Sequence, residues 1–169
     1  LALQDRNSAV RVQAANAIVQ IENRFFTQAD RLAAAVRHEP NDVDPQLELA
    51  RHYEEYADTG ILDDERQREN YEIALETYHR AAKILPGDGT VMAAIGRLLL
   101  KERRYEEAEP WLRDATRTTS DDCRAALLYM EALFHMGRWR DLRDLSRRHE
   151  ESVSGDPELP PEAAEAVAL

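Results

Sequence analysis

Apolar residues recur at intervals of three or four along the N-terminal part of the chain and predict a single long helix. The stretch 8–38 holds neither proline nor glycine, Ser8 is placed to cap its start, and Pro40 stands just beyond its end. A helix of about 30 residues is about 45 Å long and reaches past one local core. We expect it to pack on a neighbour or to continue into a part of the protein outside this chain. The apolar positions are Val10, Ala14, Ile18, Ile21, Phe25, Ala29, Leu32 and Val36.

The first residues of this helix resemble the second helix of a HEAT repeat. Asp5, Val10 and Arg11 precede an alanine-rich stretch that ends at Ile18. In HEAT repeats the valine and the alanines face a neighbouring helix, whereas the aspartate and the arginine hold the turn. The resemblance implies that residues 1–40 are a HEAT-like segment that continues into the long amphipathic helix.

From Val43 onwards the sequence repeats itself with a period of 34 residues. Aromatic residues stand 34 apart at Tyr71, Tyr105 and Trp139, and a small residue, Gly96, lies within a preceding helix. A 34-residue period with small and aromatic residues at these places resembles the tetratricopeptide repeat. The resemblance implies an all-α fold, a right-handed superhelix of helix hairpins preceded by the long helix. In it, small residues mark close helix crossings and aromatic residues fill the spaces left between helices.

The period divides the chain into segments. The first repeat is 12 residues longer than the period, and its insertion is polar and contains Gly60, so we expect the insertion to lie outside the core and to be dispensable for folding. The third repeat is degenerate. The predicted segments are the helix region 1–40, three repeats within 43–154 (43–88 with the insertion 58–70, 89–122 and 123–154), and a linker with a capping helix at 155–169.

The composition excludes several classes of protein. The 169 residues are 43% hydrophobic and 33% charged, the balance of a folded domain rather than of a disordered or membrane-embedded chain. The net charge of −11 repels the negative phosphate backbones of nucleic acids, which argues against nucleic acid as a partner. Cys123 is the single cysteine, so an internal disulfide cannot form. No apolar run is long enough to span a bilayer, so we expect membrane contact only through segments outside this chain.

No group of residues in the sequence predicts catalysis. The five histidines lie in five different predicted helical segments, and none belongs to an H-E-x-x-H pair. Pro86 and Gly87 belong to a turn between repeats, and no serine lies in a nucleophile elbow. We therefore predict a protein that is not an enzyme and that binds no metal ion and no cofactor.

Stacked helix pairs present a concave face made of the first helix of each repeat, and that face is the predicted partner-binding site. It mixes apolar side chains with arginine and lysine, which fits an acidic or amphipathic helix of a partner protein. The predicted partner-binding residues are Leu47, Arg51, Glu55, Ala93, Arg97, Lys101, Arg124, Leu127, Glu131 and Phe134, with Glu54 and Leu100 beside them.

The order of these segments resembles the soluble part of the PelE proteins, inner-membrane components of the bacterial Pel exopolysaccharide machinery. The resemblance extends over roughly residues 5–145. The residues that carry it are Asp5, Val10, Arg11, Ile18, Glu22 and Arg24, then Leu49 to Tyr53, Gly60 to Leu62, Ala74 to Ala82, Arg97 to Leu99 and Tyr105 to Ala108.

The resemblance to PelE implies two membrane-spanning helices upstream of Leu1 and a location at the cytoplasmic face of the bacterial inner membrane. It also implies a scaffold that joins the cyclic-di-GMP receptor subunit, the cytosolic glycosyltransferase and the membrane transporter subunit. Two other hypotheses stay open: a periplasmic tetratricopeptide adaptor of an envelope assembly, and an accessory domain of a larger enzyme such as a glycosyltransferase. An anchor pair or a signal peptide upstream would separate the first two, and a reading frame that continues into a catalytic domain would reveal the third.

Overall fold

The computed structural model describes residues 2–118 and 123–154, and within these residues the protein is helical without any strand. The predicted all-α fold is confirmed. The linker and capping helix predicted at 155–169 lie outside the described residues. The helices are α1 (Ala2–His38), α2 (Val43–Ala57), α3 (Asp64–Ile84), α4 (Gly89–Lys101), α5 (Tyr105–Thr118), α6 (Cys123–His135) and α7 (Trp139–Ser154).

The helices fall into two compact units, Leu1–Leu85 with α1 to α3 and Pro86–Leu169 with α4 to α7. In the first unit, α2 packs against α3 and also against α1. In the second unit, α4 packs against α5, α5 against α6 and α6 against α7, and α4 also touches α6. Each unit is therefore built from helices that pack on their neighbours in sequence, as a pattern of helix hairpins predicts.

The helix bounds show where the additional residues of the first hairpin lie. Helices α4 and α6 begin 34 residues apart, as do α5 and α7, whereas α2 begins 46 residues before α4. Compared with α4–α5, the α2–α3 hairpin has two more residues in its first helix, three more in its loop and seven more in its second helix. The segment 58–70 is therefore a loop followed by an extension of α3 by about two turns at its N-terminal end.

Phe25 joins the long helix α1 to α2. Its buried ring stacks on the ring of Tyr56, with centroids 3.8 Å apart, and on that of His52, with centroids 4.7 Å apart. The Nε2–H of His52 also donates a hydrogen bond to the carbonyl oxygen of Phe25, 3.0 Å away. Ala29 and Tyr53 pack around these rings and complete what we call the Phe25 cluster. This cluster holds the C-terminal half of α1 on the hairpin.

The loop before α3 covers the Phe25 cluster. Ile61 and Leu62 are half-buried and pack against it. In the extension of α3, Arg66 forms an ion pair with Glu22 of α1, with 3.4 Å between Nη1 and Oε1. The expectation that the whole insertion lies outside the core is therefore wrong, because Ile61 and Leu62 pack against the rings between α1 and α2.

In the second unit, α4 and α5 approach most tightly at Gly96. A Cβ atom built on Gly96 would overlap the side chain of Leu112 on α5. Leu112 is fully buried, as are Ile95 and Leu99 on α4. The close helix crossing predicted at Gly96 is confirmed, and a side chain at this position has no room.

The turns after α4 and after α6 share one backbone conformation. Arg103 and Gly137, which are 34 residues apart, have φ angles of 59° and 69°. In both turns the next N–H donates to a carbonyl of the preceding helix over 2.9 Å. This left-handed conformation costs a residue with a Cβ atom about 1–2 kcal/mol, but costs glycine little. Arg103 therefore occupies a position that suits glycine.

Replacing Gly96 with leucine should lower the free energy of unfolding by about 2–3 kcal/mol, because overpacking of the α4–α5 crossing outweighs the better helix propensity. Urea unfolding followed by circular dichroism measures the effect. The control is Thr90→Ala, an exposed site on the same helix, which should change stability by no more than about 0.5 kcal/mol. A Gly96→Leu variant as stable as the parent would contradict the crossing.

Replacing Arg103 with glycine should raise the free energy of unfolding by about 0.5–1 kcal/mol. Glycine adopts the left-handed backbone without a steric cost, which stabilises the folded chain, but it also gives the unfolded chain more entropy, which offsets part of that gain. Thermal and urea unfolding measure the change. The reciprocal variant Gly137→Arg, at the equivalent turn, should be destabilised. A loss of stability in Arg103→Gly would show that the Arg103 side chain contributes more than its backbone costs.

Candidate partner-binding surfaces

In the first unit, the predicted binding residues lie along α2 at intervals of four, which places them on one face of the helix. Leu47 is half-buried, whereas Arg51 and Glu55 are exposed. The face therefore offers charges of both signs and little apolar area. Its chemistry suits polar contacts with a partner more than the burial of a large side chain.

Two residues expected beside these surfaces are buried instead. Glu54 is only 2% exposed, and its Oε2 accepts a hydrogen bond from the Tyr78 hydroxyl of α3 at 3.1 Å. Leu100 is buried among the apolar side chains of α4. Each lies one residue from an exposed position, and one residue is a rotation of about 100° around a helix. The expectation that Glu54 and Leu100 face a partner is wrong.

In the second unit, the predicted residues lie on α4 and α6, two helices that touch each other. On α4, Lys101 is exposed, whereas Ala93 and Arg97 are half-buried. On α6, all four predicted residues are exposed and follow intervals of three, four and three, so they form one stripe. We call this the α6 stripe; its residues are Arg124, Leu127, Glu131 and Phe134.

Phe134 belongs to an exposed aromatic group at the end of α6. Its ring meets that of Trp139 edge-on at 5.3 Å, and it contacts His135, whose ring stacks on Tyr105 at 4.4 Å. Phe134 is 54% and Trp139 55% exposed. The expectation that the repeated aromatic fills an internal space holds for Tyr71, which is buried, and is wrong for Trp139, whose ring lies against another surface ring.

Glu109 of α5 connects α6 with the start of α7 beside this aromatic group. Its carboxylate accepts a hydrogen bond from the Tyr129 hydroxyl at 3.2 Å and pairs with Arg138 at 3.2 Å. Arg138 also pairs with Asp141 at 2.7 Å. Burial raises the pKa of Tyr129, and the charge of Glu109 raises it further. Because Arg138 directly precedes Trp139, this network fixes the backbone that carries the indole.

The repeat pattern did not predict a groove between α1 and α2 in the first unit, which side chains of polar residues line. Arg24 and Arg31 line its α1 side, are exposed, and form no hydrogen bond or ion pair with any residue that the structure describes. They are seven residues apart, which is about two turns, and this spacing is the signal that places both on one face of α1. The groove is lined by Asn23, Arg24, Thr27, Gln28, Arg31 and His52.

Two further kinds of site are absent from residues 2–118 and 123–154. No group of three or more histidine, cysteine, aspartate or glutamate side chains in these ranges could hold a metal ion. No helix in the same ranges combines the length and the apolar character that a membrane crossing needs.

Residues 65–129 match the tetratricopeptide repeat family. The chain is similar in structure to TTC0263, a thermophilic TPR protein of Thermus thermophilus, with 20% identity, a TM-score of 0.63, and coverage of 83% of this chain and 72% of that one. It is also similar to MamA of AMB-1, with 17% identity, a TM-score of 0.60, and coverage of 77% and 64%. A search of curated proteins found no match. The fold is thus of the tetratricopeptide type, which is typical of non-catalytic modules that bind protein partners.

Proposed function

We propose that this chain is a non-catalytic scaffold that holds segments of partner proteins on the first helices of its hairpins. The α6 stripe supports this most directly, because Leu127 is 59% and Phe134 54% exposed. Arg124 precedes Leu127 on the stripe, and Glu131 lies between Leu127 and Phe134. Large exposed apolar groups framed by polar residues are typical of protein interaction sites rather than of an ordinary solvated face.

The partner segment that fits this stripe is an acidic or amphipathic helix. Leu127 and Phe134 are seven residues apart, so both side chains point the same way and can receive apolar residues from one face of a helix. Trp139 extends the aromatic contact beyond Phe134. Arg124 and Lys101 supply positive charge, which attracts carboxylates on the partner and speeds the association of the two proteins.

We further propose that the partners are subunits of a bacterial exopolysaccharide (Pel) synthase and export complex, and that the chain works at the cytoplasmic face of the inner membrane. The support for this is the order of segments: the HEAT-like residues open α1, and the expanded hairpin α2–α3 follows it. The proposed partners are the cyclic-di-GMP receptor subunit, the cytosolic glycosyltransferase and the membrane transporter subunit. The general proposal of a scaffold does not depend on this assignment.

Replacing Phe134 with alanine should weaken the binding of the purified receptor subunit or glycosyltransferase by about thirtyfold, or about 2 kcal/mol, mainly through faster dissociation. Calorimetric titration and surface binding kinetics measure the affinity and the two rates. Because the ring is largely exposed, the helical circular dichroism should stay that of the parent. The matched control is Leu85→Ala, which removes an exposed apolar side chain from the first unit.

Reversing the charges of Arg97 and Lys101 to glutamate should slow association and reduce its dependence on salt. The control is Arg68→Glu with Lys83→Glu, which makes the same change of charge on exposed positions of α3. Unchanged affinity in both Phe134→Ala and the charge reversal, with folding intact, would contradict binding on the first helices. Binding that depends on Phe134 but involves a protein outside the Pel system would contradict the Pel assignment and leave the scaffold standing.

A further inference from the structure

The N-terminal half of α1 carries an apolar stripe that the chain leaves exposed. Val10 is 62%, Ile18 38% and Ile21 42% exposed. The same stripe is buried further along the helix, where Phe25 is 4% and Leu32 8% exposed against the hairpin. The exposed part therefore continues the face of α1 that packs on α2, but α2 does not extend far enough to cover it.

The difference in helix length explains why the stripe stays uncovered. Helix α1 has 37 residues and α2 has 15, which correspond to about 55 Å and 22 Å. The hairpin contacts the middle of α1 at Phe25 and through the ion pair of Glu22 with Arg66. Every residue from 10 to 21 is exposed. At least three turns of an apolar helix face thus stand beyond the hairpin.

The exposed stripe is complementary to itself when a second copy runs in the opposite direction. The stripe has intervals of four, three and four residues, with the large residues at its two ends and the alanines in the middle: Val10, Ala14, Ala17 and Ile21. An antiparallel copy places Val10 opposite Ile21 and Ala14 opposite Ala17, so each large residue meets a large one and the alanines let the backbones approach. Intervals of three and four along one face are those of helices that pack side by side.

We propose that two copies of this chain pair through this stripe, antiparallel, about a two-fold axis that passes between Ala15 and Asn16. The interface is isologous, because the same residues contribute from both copies. It extends the α1–α2 packing onto the second copy, so the apolar stripe of α1 is buried from Val10 to Leu32. The pairing gives the proposed scaffold two copies of each of its partner-binding surfaces.

The charges of α1 agree with this pairing. Between residues 7 and 21 the only charged side chain is Arg11, in a chain that is 33% charged and carries −11 overall. Depletion of charge is typical of the centre of an interface between proteins. Two copies that meet here bring no carboxylates together, although they repel each other elsewhere.

The antiparallel direction follows from the position of the hairpin. In each copy, α2 and the loop with Ile61 and Leu62 pack on the C-terminal half of α1. A parallel pair would bring both hairpins, and their acidic surfaces, to the same end of the paired helices. An antiparallel pair places them at opposite ends, where neither volume nor charge opposes association.

The oligomeric state of the 169-residue chain tests the proposal. Light scattering at about 100 μM, far above a micromolar Kd, should give about twice the monomer mass of 19.3 kDa. The variant Ala14→Glu with Ala17→Glu should return the mass to that of one chain, because it buries carboxylates in the seam. The matched control, Asn16→Glu with Asn23→Glu, adds the same charge to the opposite face of α1, where Val12 and Val19 are also exposed, and should stay dimeric. Equal helicity by circular dichroism shows that all three proteins are folded.

Disulfide cross-linking tests the direction. In a Cys123→Ser background, chains with Ala14→Cys and chains with Ala17→Cys are oxidised separately and as a mixture of two differently tagged proteins. An antiparallel pair cross-links mainly between the two variants in the mixture. A parallel pair cross-links each variant with itself, and that result overturns the proposal. A parent chain that is monomeric at about 100 μM, or an Ala14→Glu with Ala17→Glu variant that stays dimeric, overturns it as well.

Discussion

The stacking of Phe25 on His52 and Tyr56 is the contact on which the arrangement of the first unit depends. It joins a helix of 37 residues to a hairpin within the C-terminal half of α1, where Leu32 is also buried. Ile61 and Leu62 cover these rings, and the hydrogen bond from His52 to the carbonyl of Phe25 fixes their orientation. Where this contact ends, the buried stripe of α1 ends too, so one aromatic cluster determines both the anchored half of the helix and the exposed half.

The acidic composition has a structural use that the net charge alone does not reveal. Asp42, Asp63 and Asp88 cap the starts of α2, α3 and α4, each accepting a hydrogen bond from a backbone N–H. Glu109 and Glu22 hold helices together through hydrogen bonds and ion pairs. Carboxylates thus serve the fold at many positions. Phe134 on α6 and the arginines Arg24 and Arg31 along the groove of α1 are exposed to a partner.

The paired helices after Val43 and the close crossing at Gly96 could be predicted from the sequence, because a 34-residue period and a small residue report contacts that recur in every repeat of this type. The exposure of Trp139 and the burial of Glu54 could not. Both depend on which element lies opposite a given face, and a shift of one residue rotates a side chain by about 100°. The packing of Ile61 and Leu62 could not be predicted for a similar reason: these two apolar residues of a polar loop become partly buried because α1 passes beside them.

The central claim is that α1 has two halves, one held within the chain and one held by a second copy. Hydrogen–deuterium exchange, measured at about 1 μM and about 100 μM protein, tests this claim most directly. We predict that amides of residues 25–36 are protected equally at both concentrations, and that amides of residues 10–21 gain protection at the higher one. Protection of residues 10–21 that does not change with concentration would contradict the account.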